Sequence, residues 1–280
     1  VDGSGNAYVT GVTDSTEATF PETAGPDLTF NGGDSDAFVA KISENGVAPA
    51  VTAGGVNGAS FLAPLARGGI ATLFGSLLAN AVLQAASVPL PTTLGGARVL
   101  VNGVAAPLFF VSAGQINFQV PFETPAGGAP VSIVVERDGI RSATATASVI
   151  LNAPGIFTYE RAPGILDPIV THADGVLITP GAPATASEVV IVYLTGVGDL
   201  NNPPATGAAA SASPLATSRI TPVITVGGLT ARSLFAGLTP GFVALVQVNL
   251  ELPANLGAGR QPMVIQFGAN STQTVNLAVQ

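Results

Sequence analysis

Gln115-Ile116-Asn117-Phe118-Gln119-Val120-Pro121 is the stretch that decides the fold, because it returns as Gln247-Val248-Asn249-Leu250-Glu251-Leu252-Pro253. In both copies polar and apolar residues alternate, the pattern of a strand with one buried face. Upstream, Val101-Asn102-Gly103-Val104-Ala105-Ala106 matches Val226-Gly227-Gly228-Leu229-Thr230-Ala231. Downstream, a Gly-containing turn leads to Val131-Ser132-Ile133-Val134-Val135 in one copy and Met263-Val264-Ile265-Gln266-Phe267 in the other. A terminal strand is expected to close each unit, over 143–151 and 272–279. The copies are offset by 125 residues and then by 132, so the second holds seven extra residues, around 238–244.

Each unit thus carries six or seven short strands separated by turns. The 34 glycines and 22 prolines fall between β-branched runs and mark turns. Many short strands with Gly/Pro punctuation predict an all-β chain of sandwich or barrel type. The size and rhythm of the repeat predict tandem immunoglobulin-like β-sandwiches, without the Cys–Trp–Cys pin of antibody domains. The expected domains are an N-terminal β-hairpin segment over 1–46 and sandwiches over 47–157 and 158–280, joined stiffly near 152–164.

Composition narrows the function classes. Charged residues are 9% of the chain, against roughly 25% in an average soluble protein, too few for a helix-rich enzyme with solvated faces. The most apolar stretch, 70–86, is broken by Thr72, Gly75, Ser76, Asn80 and Gln84, short of the ~18 unbroken apolar residues of a spanning helix. No membrane span is expected. The absence of cysteine excludes disulfides and thiolate chemistry. Eight acids and one base, Lys41, give residues 1–46 a charge of −7, while nine acids and eight arginines leave the remainder at −1. With no basic patch, nucleic acid is not an expected partner. The chain opens at Val1 without an apolar leader, and reads as the mature or C-terminal part of a longer product.

In the acidic segment, 6–13 and 36–42 alternate like strands. Tyr8 and Val9 on the first, with Phe38 and Val39 on the second, are candidate interaction residues. Asp2-Gly3-Ser4-Gly5-Asn6-Ala7-Tyr8-Val9-Thr10-Gly11, Phe20-Pro21, Gly33 and Asp36-Ala37-Phe38-Val39-Ala40-Lys41 together resemble one bacterial β-propeller repeat of about 40 residues. A single blade cannot bury its own apolar face, so the resemblance implies docking on something else. The pattern Gly103, Ala106, a strand, then Val120-Pro121 resembles IPT/TIG-type immunoglobulin-like domains. Asn57-Gly58-Ala59-Ser60-Phe61, Leu73-Phe74-Gly75, Pro89-Leu90-Pro91-Thr92, Ala106-Pro107-Leu108-Phe109 and Ala153-Pro154-Gly155-Ile156-Phe157 resemble a C-terminal domain family of secreted, Solibacter-type acidobacterial proteins. That resemblance implies a secreted or cell-surface address and carries no activity.

The search for chemistry yields little. His172 is the only histidine, and it reads as a solvent-exposed residue at a hairpin tip rather than a catalytic base. Without cysteine or a second histidine, zinc's usual ligand set is missing. Glu136 and Asp138 sit two apart but read as a charged hairpin turn rather than a glycosidase pair. Asp2–Asn6 and Asp34-Ser35-Asp36 offer oxygens to calcium, although Asp and Gly at turns explain both. The 199–218 stretch, rich in small residues, is expected to be a long functional or mobile loop. Asn270-Ser271-Thr272 fits a glycosylation acceptor by chance. No catalytic residue, metal or cofactor is expected.

What remains is a pair of amide rows, Gln115/Asn117/Gln119 and Gln247/Asn249/Glu251, each on one face of its strand. They suit sugar hydroxyls or a partner's edge strand; the plainer reading is a solvated face, or amides bridging the two domains. Function is therefore expected to be non-enzymatic and extracellular, structural or adhesive. The expected partners are copies of itself or other surface proteins. One version is a head-to-tail fibre built by strand addition from residues 1–46. A carbohydrate-binding module is the alternative, weakened by the absence of Trp and by Phe residues expected to face the core.

Overall fold

A computed structural model describes residues 6–15, 33–42, 46–127 and 129–280. The chain is all-β and divides into two compact units, Val1–Ala48 and Pro49–Gln280.

In the first unit, β1 (Ala7–Thr13) and β2 (Asp36–Ile42) form an antiparallel ribbon with Tyr8 opposite Lys41, Thr10 opposite Val39 and Gly11 opposite Phe38. The Phe38 ring lies on Gly11, where a Cβ would come within 2.8 Å of it. An aromatic thus covers the backbone that glycine leaves bare. Residues 2–5 and 16–32, which hold the first candidate calcium loop and Phe20-Pro21, lie outside the described residues.

The second unit holds two hydrophobic cores, one per sandwich. In the first, β3 (Ile70–Ser76), β4 (Ala97–Val101), β5 (Leu108–Val111), β6 (Gln115–Gln119) and β7 (Val131–Arg137) supply the main strands. One sheet runs β3-β6-β5, flanked by Ala50–Val51 and Leu83–Gln84, and the other places β7 beside β4. Leu73, Leu108, Ile116 and Phe118 from one sheet meet Val99, Val101, Ile133 and Val135 from the other, all essentially fully buried.

The second sandwich repeats this with β8 (Val189–Thr195), β9 (Val223–Val226), β10 (Leu229–Leu238), β11 (Val246–Glu251), β12 (Gly259–Phe267) and β13 (Val275–Val279). Here β10 is one continuous strand that pairs with β9 through its first residues and with β11 through its last. Its counterpart in the first sandwich is broken into Val104–Ala105 and β5. The break falls at Pro107, the position equivalent to Arg232. Proline has no N–H to give a ladder, so the strand is interrupted there. Of the seven extra residues, four lengthen the connection, 239–245 against the turn 112–114 of the first sandwich, and three extend the facing ends of β10 and β11.

The hairpin turns are equivalent too. Asn102-Gly103 and Gly227-Gly228 both take positive φ at two successive residues, the geometry of a tight hairpin whose twist matches its strands. Ser142 and Thr272 make the same stitch: each hydroxyl accepts the amide of the opposite strand, Val135 at 3.0 Å and Ile265 at 3.1 Å. The terminal strand expected over 143–151 is in fact two pieces. Ala145–Ala147 pairs with β7, and Val149–Ile150 crosses to run parallel with Leu65–Ala66.

Candidate interaction surfaces

The amide rows are the first surface. Gln119 is fully buried. Its Oε1 accepts the Gly207 N–H at 2.7 Å and its Nε2 donates to the Gly68 carbonyl at 3.3 Å. This residue is therefore a bridge between the sandwiches and is not available as an interaction residue. What covers it is the 199–218 stretch, expected as a structureless functional or mobile loop and found instead as a hydrogen-bonded strap. Leu200–Asn201 pairs with Thr217–Ser218, Leu90 donates to the Gly207 carbonyl at 2.8 Å, and the Thr206 hydroxyl accepts the Phe122 amide and donates to Glu123. Small residues here allow close approach of two backbones.

The rest of the seam is equally specific. Arg67 holds Asp199 through Nε and Nη2. Thr195 accepts the Ile70 amide and donates to the Ala244 carbonyl, and Asn57 Nδ2 donates to the Ala153 carbonyl at 2.7 Å. Gly196, at φ 82°, lies so close to that carbonyl that a Cβ would sit 2.2 Å from it. Asn270, which sequence pairs with Thr272 as a glycosylation acceptor, instead donates to the backbone and side chain of Asn152. An open cleft borders this seam, but its amides, Asn57, Asn270 and Gln273, already bond to backbone or to Asn152.

Beyond the strap, Gln115 and Asn117 remain half-exposed, and so do Gln247 and Asn249. Gln115 Nε2 donates to Asn117 Oδ1 at 2.8 Å, and Gln247 Nε2 donates to Asn249 Oδ1 at 3.3 Å. Asn117 Oδ1 also accepts the Thr72 hydroxyl at 3.1 Å. Opposite Gln115 on β3 stands Phe74, and opposite Asn117 on β5 stands Phe110. Opposite Gln247 on β8 stands Tyr193, and opposite Asn249 on β10 stands Phe235. Phe74 is 43% exposed, with the 54%-exposed Phe61 ring 6.3 Å from it. Sequence alternation places most Phe residues in the core; among the described residues only Phe118 and Phe267 are buried. For Phe110 and Phe235 the cause is a β-bulge, invisible to period-2 counting, between Leu108 and Phe110 and again between Ser233 and Phe235.

The ribbon is the second surface. Val12 is 70% exposed and Val39 73% exposed, both on the Tyr8 face, while Val9 and Ile42 are exposed on the other. Tyr8 lies under the Lys41 ammonium at 6.0 Å, and Phe38 is half-covered.

The titratable groups are structural partners. His172 ends the strand Val170–His172 at a hairpin tip, as expected, but its side chain is half-buried, 22% exposed, rather than open to solvent. Nδ1–H donates to Glu188 and Nε2–H to the Ala182 carbonyl at 3.3 Å. The bond to Glu188, reinforced by Ala182 against an opposing effect of burial, raises the imidazole pKa above its ordinary 6.5. Burial pushes the Glu188 carboxyl up, but the Thr185 amide and His172 outweigh it and hold the pKa below 4.5. For Asp167, too, burial works upward and is outweighed, here by Arg260 and Arg161. Glu136 pairs with Arg98 and Arg141, and Asp138 with Asn80. Asp138 and Gly139 have positive φ and form the charged turn that the sequence indicated. Asp34 and Ser35 are exposed and Asp36 opens β2. Among the described residues no three acidic or histidine side chains gather, and no helix is long and apolar enough to cross a membrane.

The larger unit is all-β, two sandwiches in tandem with the strand rhythm of immunoglobulin-like domains. No protein-family model matches the chain, and no curated protein matches it. Among solved structures, it is similar to SGBP-B of the Bacteroides ovatus mixed-linkage glucan utilization locus, solved with a heptasaccharide (14% identity, 90% of this chain, 51% of that one, TM-score 0.35). It is also similar to SGBP-B from a Bacteroides uniformis xyloglucan utilization locus (13%, 82% and 49%, TM-score 0.27). A third is domains 4–9 of the surface layer protein SbsC (12%, 88% and 33%, TM-score 0.28). The chain spans about half the length of the two SGBP-B chains and a third of the SbsC chain.

Proposed function

We propose that this protein is a non-enzymatic, secreted or cell-surface structural module, in which two fused sandwiches form a stiff body and the N-terminal ribbon joins one copy to the next. The observation that carries the reading is the exposed apolar ribbon, with Val12 and Val39 more than two-thirds open to solvent. An isolated two-stranded hairpin is marginal in water, and covering these residues with a neighbour's sheet stabilises it. Because ribbon and acceptor are different surfaces, the contact is heterologous and builds filaments unless it closes into a ring. The resemblance of residues 1–46 to a single propeller blade, and of 53–280 to exported acidobacterial domains, supports both the docking role and the address.

Light scattering over a concentration series, with negative-stain microscopy of the same sample, tests this. A ladder of oligomers or filaments is expected for the wild type, and a monomer for Val12→Lys/Val39→Lys. A monodisperse wild-type monomer at every concentration would overturn the assembly role.

A further inference from the structure

The two sandwiches carry the same four-residue tile on the outer faces of equivalent sheets: Phe74, Gln115, Asn117 and Phe110 in one, Tyr193, Gln247, Asn249 and Phe235 in the other. We propose that these tiles are twin binding sites for a neutral glycan. The property goes beyond self-assembly through the ribbon and is read by a different assay.

Three observations converge. First, the amides are set in one orientation. Asn117 Oδ1 is filled by Gln115 Nε2 and the Thr72 hydroxyl, so Asn117 presents Nδ2–H donors outward and Gln115 presents its Oε1 acceptor. The bond from Gln247 to Asn249 orients the second pair in the same sense. Each tile therefore offers an acceptor and a donor two residues, about 6.8 Å, apart along a strand. That arrangement suits sugar hydroxyls, each of which both donates and accepts.

Second, each amide pair is flanked by an aromatic directly across on either side, giving a ring surface for the C–H face of a sugar with amides between. The strand bulges are the third observation. Without a bulge, Phe110 would share the inward face of Leu108; the irregularity at equivalent places in β5 and β10 turns Phe110 and Phe235 to the outer face. A bulge that re-aims a side chain is a feature in its own right, and here it occurs twice, at the same aromatic. The eight residues are Phe, Tyr, Gln and Asn, with no carboxylate, lysine, arginine or histidine among them, which suits an uncharged ligand.

Two sites on one body bind a long polymer with avidity. The test uses the full chain in native gels cast with hydroxyethylcellulose, xylan, galactomannan or, as an anionic control, polygalacturonate. Retardation is expected in at least one neutral polymer. Gln115→Ala/Asn117→Ala and Gln247→Ala/Asn249→Ala should each weaken it at least ~10-fold, and the four-fold variant should abolish it. Phe74→Ala, at an exposed ring, checks the result where the amide variants lose their melting transition. No retardation in any neutral gel, retardation only in polygalacturonate, or unaltered retardation in a folded four-fold variant would each overturn the proposal. Loss of sugar binding with filaments intact, or the reverse, separates this inference from the assembly role.

Discussion

His172 shows what one residue's surroundings do to its chemistry. With both ring nitrogens facing acceptors, the folded chain favours imidazolium. Below pH 6.5 the ring is protonated folded or unfolded, and the pair with Glu188 contributes in full. As pH rises from 6.5 through the raised folded value, that contribution is lost. The Glu188 part is present above 4.5 and lost as pH falls through its lowered folded value. Wild type should therefore exceed His172→Gln in stability most between pH 4.5 and 6.5, with the gap narrowing above. Urea midpoints from pH 4 to 9 measure this, and a gap that widens above 6.5 contradicts the pairing. The hairpin tip around His172 was legible from Ala173-Asp174-Gly175. Its burial was not, because Glu188 lies sixteen residues on, at a spacing no local rule connects.

At the scale of elements, the repeat could be read directly from matched strings and offsets. The positions of strands, turns and the seven-residue insertion followed from it. Four features escaped. Pro107 splits a strand that its counterpart keeps whole, the terminal strand of the first copy breaks in two with Val149–Ile150 crossing to Leu65–Ala66, the bulges turn Phe110 and Phe235 outward, and the 199–218 strap is ordered against the other sandwich. The strap makes a prediction of its own. Gln119→Ala leaves the Gly207 N–H without its buried partner, a loss of about 1–3 kcal/mol. Thermal melting should show the drop, and an unchanged midpoint would mean the strap holds by other bonds.

For the whole molecule, the seam joins two complete cores with hydrogen bonds and an ion pair, and residues 49–280 form one compact unit. The cores should therefore open together: hydrogen exchange should give peptides from β3–β7 and β8–β13 the same limiting protection. Arg67→Ala combined with Gln119→Ala should let one sandwich exchange well before the other. Separate protection levels already in the wild type would show that the seam does not couple them.

The sequence by itself determined the all-β class, the two-fold repeat, the sandwich rhythm, the N-terminal ribbon and the amide rows as candidates. These depend on alternation and turn residues, which act over a few positions. Only the tertiary structure decided which amides are open. It buried Gln119 under the strap, left Gln115, Asn117, Gln247 and Asn249 at the surface, and set an aromatic on each side of each pair. Those outcomes depend on cross-strand register, a single-residue bulge and contacts between residues up to 132 positions apart, and no local pattern encodes them.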